Sequence, residues 1–483
     1  MKPYIAGLLV ALGALGTPQA YAQSVDPGVS VVNNDKLQLN IYGRGQMMGT
    51  VENVPDTRAS HNRVYLFLNE ARVGFKGGYD DLFKYELQLD FGSESINGSN
   101  TDMSLMDAYA DIPVKPLGEN TVVKIGQIRV PYSREALTDT GYMEFTNRSV
   151  TNMAAFQGRD YGLAIMGTKG NLTGTIGTFT GGGRNVPQRY LPENIGVPYM
   201  VARVGYNDGA DDDIYHVMGI DRDLKRDTKA FYINAIYMQD TRIGHSTALG
   251  VHTIDDNVLI DSNFNPYLKQ GDATAGTGTL CSAVTCERGN LFFIGTDGVI
   301  RHRIDESHSL QLEYEGNWGG YQNRFGVLHV ASGRAQGEYT SGAFEIGLRY
   351  GILSMDDKAG FTANGNAAAP FNNTSFSRLI GGAAGAKGAY QYNANMGQAI
   401  HEITPSITWH IRGHNMKVVA SLPIFLDAPL WIDNADGAYV FTDPTPSGAA
   451  TLYTAQDSVL ATPGNNTVRR TIPEGRMMFQ FMF

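Results

Sequence analysis

Apolar and polar residues alternate over stretches of about ten residues, and this period of two recurs along most of the chain. Between Asp81 and Gly92, large apolar side chains at every second position interleave with charged or amide side chains. The same alternation is present in 309–315, 343–352 and 402–411. It predicts β-strands with one apolar and one polar face.

Strands of this kind occur in a soluble β-sandwich, where one face meets water, and in a membrane β-barrel, where one face meets lipid. Lengths near ten residues suit a tilted membrane strand better than the usual five or six of soluble sheets. Only Ile5 to Leu15 forms a long apolar run, so no later segment approaches the roughly 20 residues of a membrane-spanning helix. The chain is also rich in glycine (57 residues) and low in charge (18%). Together these features favour a membrane β-barrel over a soluble β-sandwich.

The N-terminus has the pattern of a secretory signal peptide: a positive Lys2, the apolar run and the small-x-small site Ala20-Tyr21-Ala22. We expect residues 1–22 to be removed, which leaves 483 − 22 = 461 residues and, without Lys2, a net charge of −11. Export implies an oxidising compartment, so Cys281 and Cys286 are expected to form a small loop disulfide. Neither a metal site nor a cofactor is expected.

Residues 23–36 are interpreted as a short polar lead-in, and residues 37–483 as a single closed antiparallel transmembrane β-barrel with long outer loops and short periplasmic turns. The segments that resemble strands number seventeen, and a barrel with both ends in the periplasm needs an even number. Omitting a weak segment near Tyr321 gives sixteen, and adding Thr247 to Ile254 gives eighteen. Sixteen is the prediction, with eighteen as the alternative.

The C-terminus places aromatic residues at alternate positions: Phe479, Phe481 and Phe483. This resembles the terminal signature by which outer-membrane barrels are recognised for insertion. The resemblance implies the barrel-assembly machinery and outer-membrane lipid as partners.

Several motifs in the first half of the chain are similar to those of the phosphate-selective porin O and P family. They include 70–77, 84–92, 106–110 and above all 123–135, whose core is Gly126-Gln-Ile-Arg-Val-Pro-Tyr-Ser133. The family consists of outer-membrane barrels that are typically sixteen-stranded trimers, and some members pass phosphate or other anions through a constriction lined by arginines. The resemblance therefore implies a homotrimer of the Gram-negative outer membrane and small anionic solutes.

Alternation predicts which charged residues line the lumen. The basic ones are Arg44, Arg72, Lys76, Lys84, Lys124, Arg203, Arg349 and Lys417, and the acidic ones are Glu70, Glu86, Asp90, Asp107, Glu313, Glu315, Glu345 and Glu402. The two sets are equal in number, so selectivity would depend on how they are segregated. A constriction loop at about 132–159, beside the family motif, adds Arg129, Arg134, Glu135, Arg148 and Arg159 as candidates. Arginine suits an anion filter because its guanidinium stays charged and binds oxyanions through two hydrogen bonds.

These features predict a passive diffusion porin for small hydrophilic solutes, with a preference for anions such as phosphate. The alternatives are a plugged structural or adhesive barrel, whose long loops close the pore, and an outer-membrane enzyme. The enzyme is disfavoured because the ten histidines are scattered and no Gly-x-Ser-x-Gly motif is present. No nucleic-acid partner is expected.

Overall fold

The computed structural model describes residues 28–34, 36–54, 61–92, 103–117, 120–152, 158–180, 199–208, 226–241, 289–323, 326–356, 399–429, 432–433, 439–440 and 469–483. Among them, no helix is both long and apolar enough to cross a membrane. Eighteen strands form one antiparallel sheet that closes on itself, and two short strands form a separate pair.

The strands of the first half are β1 Val29–Asn33, β2 Leu37–Val54, β3 His61–Tyr79, β4 Phe83–Asp90, β5 Ser104–Pro113, β6 Thr121–Arg129, β7 Arg159–Lys169, β8 Leu172–Phe179, β9 Tyr199–Asn207 and β10 Thr228–Thr241. Those of the second half are β11 Gly289–Arg303, β12 His308–Asn323, β13 Gly326–Ser341, β14 Phe344–Asp356, β15 Ile400–Arg412, β16 Met416–Ser421, β17 Ile424–Pro429, β18 Ile432–Asp433, β19 Tyr439–Val440 and β20 Arg469–Met482. The helical segments are α1 Arg134–Leu137 and two 3₁₀ turns, Lys115–Leu117 and Thr140–Tyr142.

The closed ring contains sixteen strands, which confirms the predicted fold class. β16 and β17 occupy one position in the ring, because both pair with β15 on one side and with β20 on the other. β1 lies outside the ring count: it continues the edge of β2 beyond the end of β20, within the segment expected to be a lead-in. The ring closes where β20 pairs with β2 from Arg44 to Glu52.

Side chains alternate between the two faces of the wall as the period of two predicts. On β14, Phe344, Ile346 and Leu348 are 38%, 59% and 57% exposed on the outside, whereas Glu345 and Arg349 are 1% and 2% exposed on the inside. Such a wall presents its apolar face to lipid and its polar face to the lumen.

Two strand predictions were wrong in detail. The segment near Tyr321, which we treated as dispensable, belongs to two full strands, because β12 extends to Asn323 and β13 pairs along its length with β12 and β14. Another of the seventeen predicted segments begins near residue 213, and it is the one to omit, since β9 pairs directly with β10 and leaves no place in the ring between them. That segment and Thr247 to Ile254 lie outside the described residues.

Long and short connections alternate between the two ends of the barrel, with one exception at each end. The connection of residues 208–227 is long although it lies at the short-turn end, and that of residues 324–325 is short although it lies at the long-loop end. Because all other long connections leave the same end, the extracellular side is assigned to it.

The seam between β2 and β20 explains the aromatic C-terminus physically. Gly43 and Gly45 face outward on β2, and a Cβ atom on either would collide with the ring of Phe483 or Phe481. The backbones of Gly43 and Phe483 also exchange two hydrogen bonds, of 3.0 and 3.1 Å. The two rings therefore cover the glycine gaps of the first ring strand and stabilise the register of closure.

Candidate functional site

The connection between β6 and β7, residues 130–158, is called here the inner loop; residues 130–152 and 158 of it are described. It begins at the family motif, where Ser133 adopts φ 68° and its side chain caps α1 by accepting a hydrogen bond from the Ala136 amide. Almost every described residue from Val130 to Asn152 is buried. The burial arises because the segment lies inside the barrel, against lumen-facing side chains of the wall.

One anchor of the inner loop is formed by two glutamates of β12. Glu315 accepts hydrogen bonds from the Ser133 hydroxyl at 2.6 Å and from the Glu135 amide at 3.0 Å. Glu313 pairs with Arg134 of the loop at 3.1 Å and with Arg334 of β13 at 3.0 Å. The wall carboxylates therefore bind the first turn of the loop, and Arg134 forms an ion pair with Glu313.

The Glu135 carboxylate occupies a socket between two wall arginines. It accepts hydrogen bonds from the Ser149 amide at 2.8 Å and hydroxyl at 2.6 Å, which connects α1 to a later part of the loop. Arg349 of β14 and Arg334 lie 3.4 and 3.7 Å from its oxygens. Since all of these groups are almost completely buried, the charge of Glu135 is balanced only by its protein partners.

The second half of the loop packs on β14 and β15. Arg349 pairs with Glu402 at 2.6 Å and stacks on the Phe145 ring, and Glu402 also accepts a 2.6 Å hydrogen bond from the Val150 amide. Arg148 donates to the backbone carbonyls of Glu135 and Thr138, at 3.1 and 3.0 Å. Arg148 thus stabilises the fold of the loop itself.

Asp139 anchors the opposite side of the loop. It pairs with Arg44 of β2 and with Arg129 at the end of β6, and its side chain caps the 3₁₀ turn through the Gly141 amide. Burial alone would raise the pKa of the Asp139 carboxyl, but the guanidinium groups of Arg44 and Arg129 outweigh it and hold the pKa well below its usual range.

The remaining predicted arginines and lysines are placed as follows. Arg159 binds Asp107 through two hydrogen bonds of 3.0 and 2.9 Å, and Arg203 binds Asp297 in the same bidentate manner. Arg72 pairs with Glu70 and Asp90, Lys124 pairs with Asp111 and lies over the Tyr109 ring, and Lys84 is exposed. Every predicted arginine therefore has a carboxylate or a backbone carbonyl as its partner, which lowers its availability to a passing anion.

The sequence reading missed several lumen-facing charged residues. They are Arg301, Arg334 and Arg476 among the bases, and Asp297, Glu338 and Glu474 among the acids. Arg334 and Glu338 follow the same alternation on β13, but the outward positions between and before them are occupied by Gly333, Ala335 and Gly337. Small residues weaken the apolar face, which is why this strand was predicted only as the weak segment near Tyr321.

A polar cavity remains between the inner loop and the wall of β4 to β6. It is lined mainly by Glu86, Gln88, Asp107, Tyr109, Lys124, Arg129 and Asp139. The Tyr109 hydroxyl donates a 2.5 Å hydrogen bond to Glu86, and the Tyr42 hydroxyl donates to the other oxygen of the same carboxylate. Charges of both signs thus face the space that the loop leaves open.

Other predicted groups lie away from this site. Phe479, Phe481 and Phe483 lie on or directly after β20, whereas Cys281 and Cys286 fall outside the described residues. Within the described part of the chain, no three histidine, cysteine or acidic side chains converge in a way that would hold a metal ion.

Several solved structures of outer-membrane proteins superpose on this chain. An anion-selective porin from Comamonas acidovorans superposes with a TM-score of 0.50 at 11% sequence identity, covering 93% of this chain and 100% of that one. The trimer form of OmpT from Vibrio cholerae covers the same shares at 8% identity and a TM-score of 0.49. The outer membrane channel DcaP of Acinetobacter baumannii is 10% identical, and the match covers 93% of this chain and 99% of that one with a TM-score of 0.47. At such identities the likeness concerns the fold alone.

No curated protein sequence matches the chain. The family model described as phosphate-selective porin O and P matches residues 40–188, from β2 through the inner loop and β8. This span contains the motifs 70–77, 84–92, 106–110 and 123–135 quoted above. The resemblance of this part of the chain to the phosphate-selective porin O and P family is therefore confirmed.

Proposed function

We propose that the chain is an outer-membrane porin through which small hydrophilic solutes diffuse passively. The observation that carries the proposal is the inner loop, which is anchored inside a closed sixteen-stranded barrel by buried charged groups of the wall. A loop held in this way narrows an aqueous path and supplies it with charges at close range. The family match over residues 40–188 supports the same activity.

Selectivity for small anions such as phosphate is part of the proposal, and we expect it to be modest. Arg129, Arg134, Arg148 and Arg159 lie on or beside the inner loop, where a permeating anion would pass close to them. Each of them already binds a carboxylate or a backbone carbonyl, so a solute must compete with that partner. An arginine that has a carboxylate partner attracts anions less strongly than a free one.

A plugged barrel is the second candidate, and the nearly complete burial of the described inner-loop residues is the observation that favours it. It predicts no ion conductance in planar bilayers, whereas the porin predicts steady conductance steps. An enzymatic activity has no comparable support among the described residues. As partners we propose outer-membrane lipid, the barrel-assembly machinery acting on the C-terminal aromatic residues, and two further copies of the chain in a homotrimer.

Reversal potentials across a salt gradient test the selectivity. We expect the wild type to be mildly more permeable to chloride than to potassium. Changing Arg129 or Arg159 to alanine should shift the reversal potential toward cation selectivity. Replacement of these arginines by lysine should keep the pore anion-selective. It should weaken any preference for phosphate over chloride, since lysine cannot make the bidentate contact. Lys84→Ala is the control, because Lys84 is exposed at the end of its strand. If removal of either arginine changes the reversal potential no more than this control does, the proposed contribution of these arginines to anion selectivity is refuted.

A further inference from the structure

A cluster of carboxyl groups lies where the inner loop meets the inner faces of β13 and β14. Glu338 of β13 is 0% exposed, and neither of its carboxyl oxygens has a hydrogen-bond partner. Its acidic neighbours are Glu144 of the loop, Glu313 of β12 and Glu345 of β14, and its basic neighbour is Arg334. A buried carboxylate without a donor or counter-charge is strongly disfavoured. The cluster therefore requires additional positive charge or additional protons.

Two nearby cations, Arg334 and Lys417, already have other partners. Arg334 donates to Glu313, which also binds Arg134. Lys417 of β16 interacts with Glu144 and Glu345, and its ammonium group donates a 2.7 Å hydrogen bond to the Met143 carbonyl. Lys417 is thus shared between Glu144 and Glu345, while Glu338 lies beside an arginine that another carboxylate already binds. When all three are ionised, the cluster retains a net negative charge inside the barrel.

Two independent contacts indicate that protons are bound here. The Nε2 atom of His410 lies 3.1 Å from a carboxyl oxygen of Glu345, and its Nδ1 atom lies 3.3 Å from the Gly413 carbonyl oxygen. A neutral imidazole donates through only one nitrogen, so both contacts are satisfied when the pair of His410 and Glu345 carries an extra proton. The buried Thr340 hydroxyl, directly opposite Glu345 in the strand register, also has no hydrogen-bond partner.

We propose that Glu144, Glu338, Glu345 and His410 form a proton-binding latch that holds the inner loop against the wall and releases it as pH rises. A protonated Glu338 offers an O–H donor to the neighbouring carboxylates, and a protonated His410 neutralises Glu345. Loss of these two protons removes one positive charge and adds one negative charge beside Glu144, which belongs to the loop. Repulsion in this water-poor interior then favours a displaced loop.

The latch predicts a specific dependence on pH. For each proton released together with the loop, the ratio of displaced to seated loops changes by up to about tenfold per pH unit. Replacement of Glu338 by glutamine removes one of the two protons from this linkage and keeps the geometry of the protonated acid. The pH dependence of the variant should therefore be about half as steep as that of the wild type.

Single-channel conductance in planar bilayers tests the latch, and it uses the proposed porin activity as its readout. At about 1 M salt, surface charge is screened and conductance reports mainly the width of the path. From about pH 5 to about pH 9, the wild-type conductance should increase, and Glu338→Gln should retain the low-pH conductance with a shallower rise. Glu306→Gln, in an exposed turn, should follow the wild type. A wild-type conductance independent of pH, or an unchanged slope in Glu338→Gln, overturns the proposal.

A labelling experiment tests the same latch without ion conduction. Met143→Cys is introduced into a chain in which Cys281 and Cys286 are replaced by serine, with and without Glu338→Gln. At alkaline pH, a hydrophilic thiol reagent should modify the cysteine more slowly when Glu338 is replaced, because the loop stays seated. Equal rates in the two backgrounds overturn the latch. A protein that never conducts refutes the proposed porin instead, and the labelling result remains informative in that case.

Discussion

Replacement of Glu135 by alanine should unseat the inner loop. The change removes two hydrogen bonds from Ser149 and the negative charge that lies between Arg334 and Arg349. Breaking a buried ion pair by removing one partner costs about 3–5 kcal/mol. Because Glu135 is only 3% exposed, solvent offers little compensation. A cost of about 3 kcal/mol raises the ratio of displaced to seated loops by more than about a hundredfold.

Single-channel conductance at about 1 M salt measures this change, since screening leaves the width of the path as the main variable. Glu135→Ala should conduct more than the wild type, and Glu135→Gln should lie between them because its amide oxygen still accepts a hydrogen bond from Ser149. Glu306→Ala, at an exposed turn, is the matched control and should change nothing. If Glu135→Ala and the wild type conduct equally, the position of the loop does not depend on the contacts of Glu135.

Three further predictions concern stability and assembly. Asp297→Ala leaves the buried Arg203 without its bidentate partner and should lower the free energy of unfolding by about 3–5 kcal/mol, as measured by urea denaturation in detergent; a loss below about 1 kcal/mol would contradict it. Gly45→Ala should slow folding into lipid vesicles because the new methyl group collides with the Phe481 ring, and recovery of the rate by Phe481→Leu in the same chain would identify the collision as the cause. Asp139 has a lowered pKa when folded, so its stabilising effect is present above the ordinary value of about 3.9 and is lost only as pH falls through the lower folded value. The difference in melting temperature between wild type and Asp139→Asn should therefore be constant from about pH 7 to about pH 4.5, and a difference that disappears in this range would contradict the assignment.

The fold was largely predictable because a membrane barrel imposes a period of two on every strand. Where large apolar residues occupy the outer face, as on β4 and β14, the strand and its orientation were predicted correctly. The prediction was weak on β13, whose outer face carries Gly333, Ala335 and Gly337, and it was wrong in adding a strand near residue 213, because β9 and β10 pair directly. Alternation reports the environment of the two faces, and small outward side chains weaken that signal.

The site was less predictable than the fold. The motif at 126–133 indicated where the inner loop begins, and the alternation indicated most of the wall charges. The ion-pair partners could not be predicted, because Arg134 pairs with Glu313 and Asp139 pairs with Arg44. Both pairs join the loop to wall residues that lie far away in the chain. Such pairings depend on the diameter of the closed barrel and on the path of the loop inside it. The alternation within one strand contains no information about either.

The inner loop is proposed to narrow a conducting path through the barrel. The most direct test is the single-channel conductance of the purified wild type beside a variant in which residues 134–149 are replaced by a Gly-Ser segment of equal length, which removes the anchors and keeps the chain connected. We expect discrete conductance steps for the wild type and larger steps for the variant. A wild-type protein that does not conduct, or two proteins with the same conductance, would contradict this expectation.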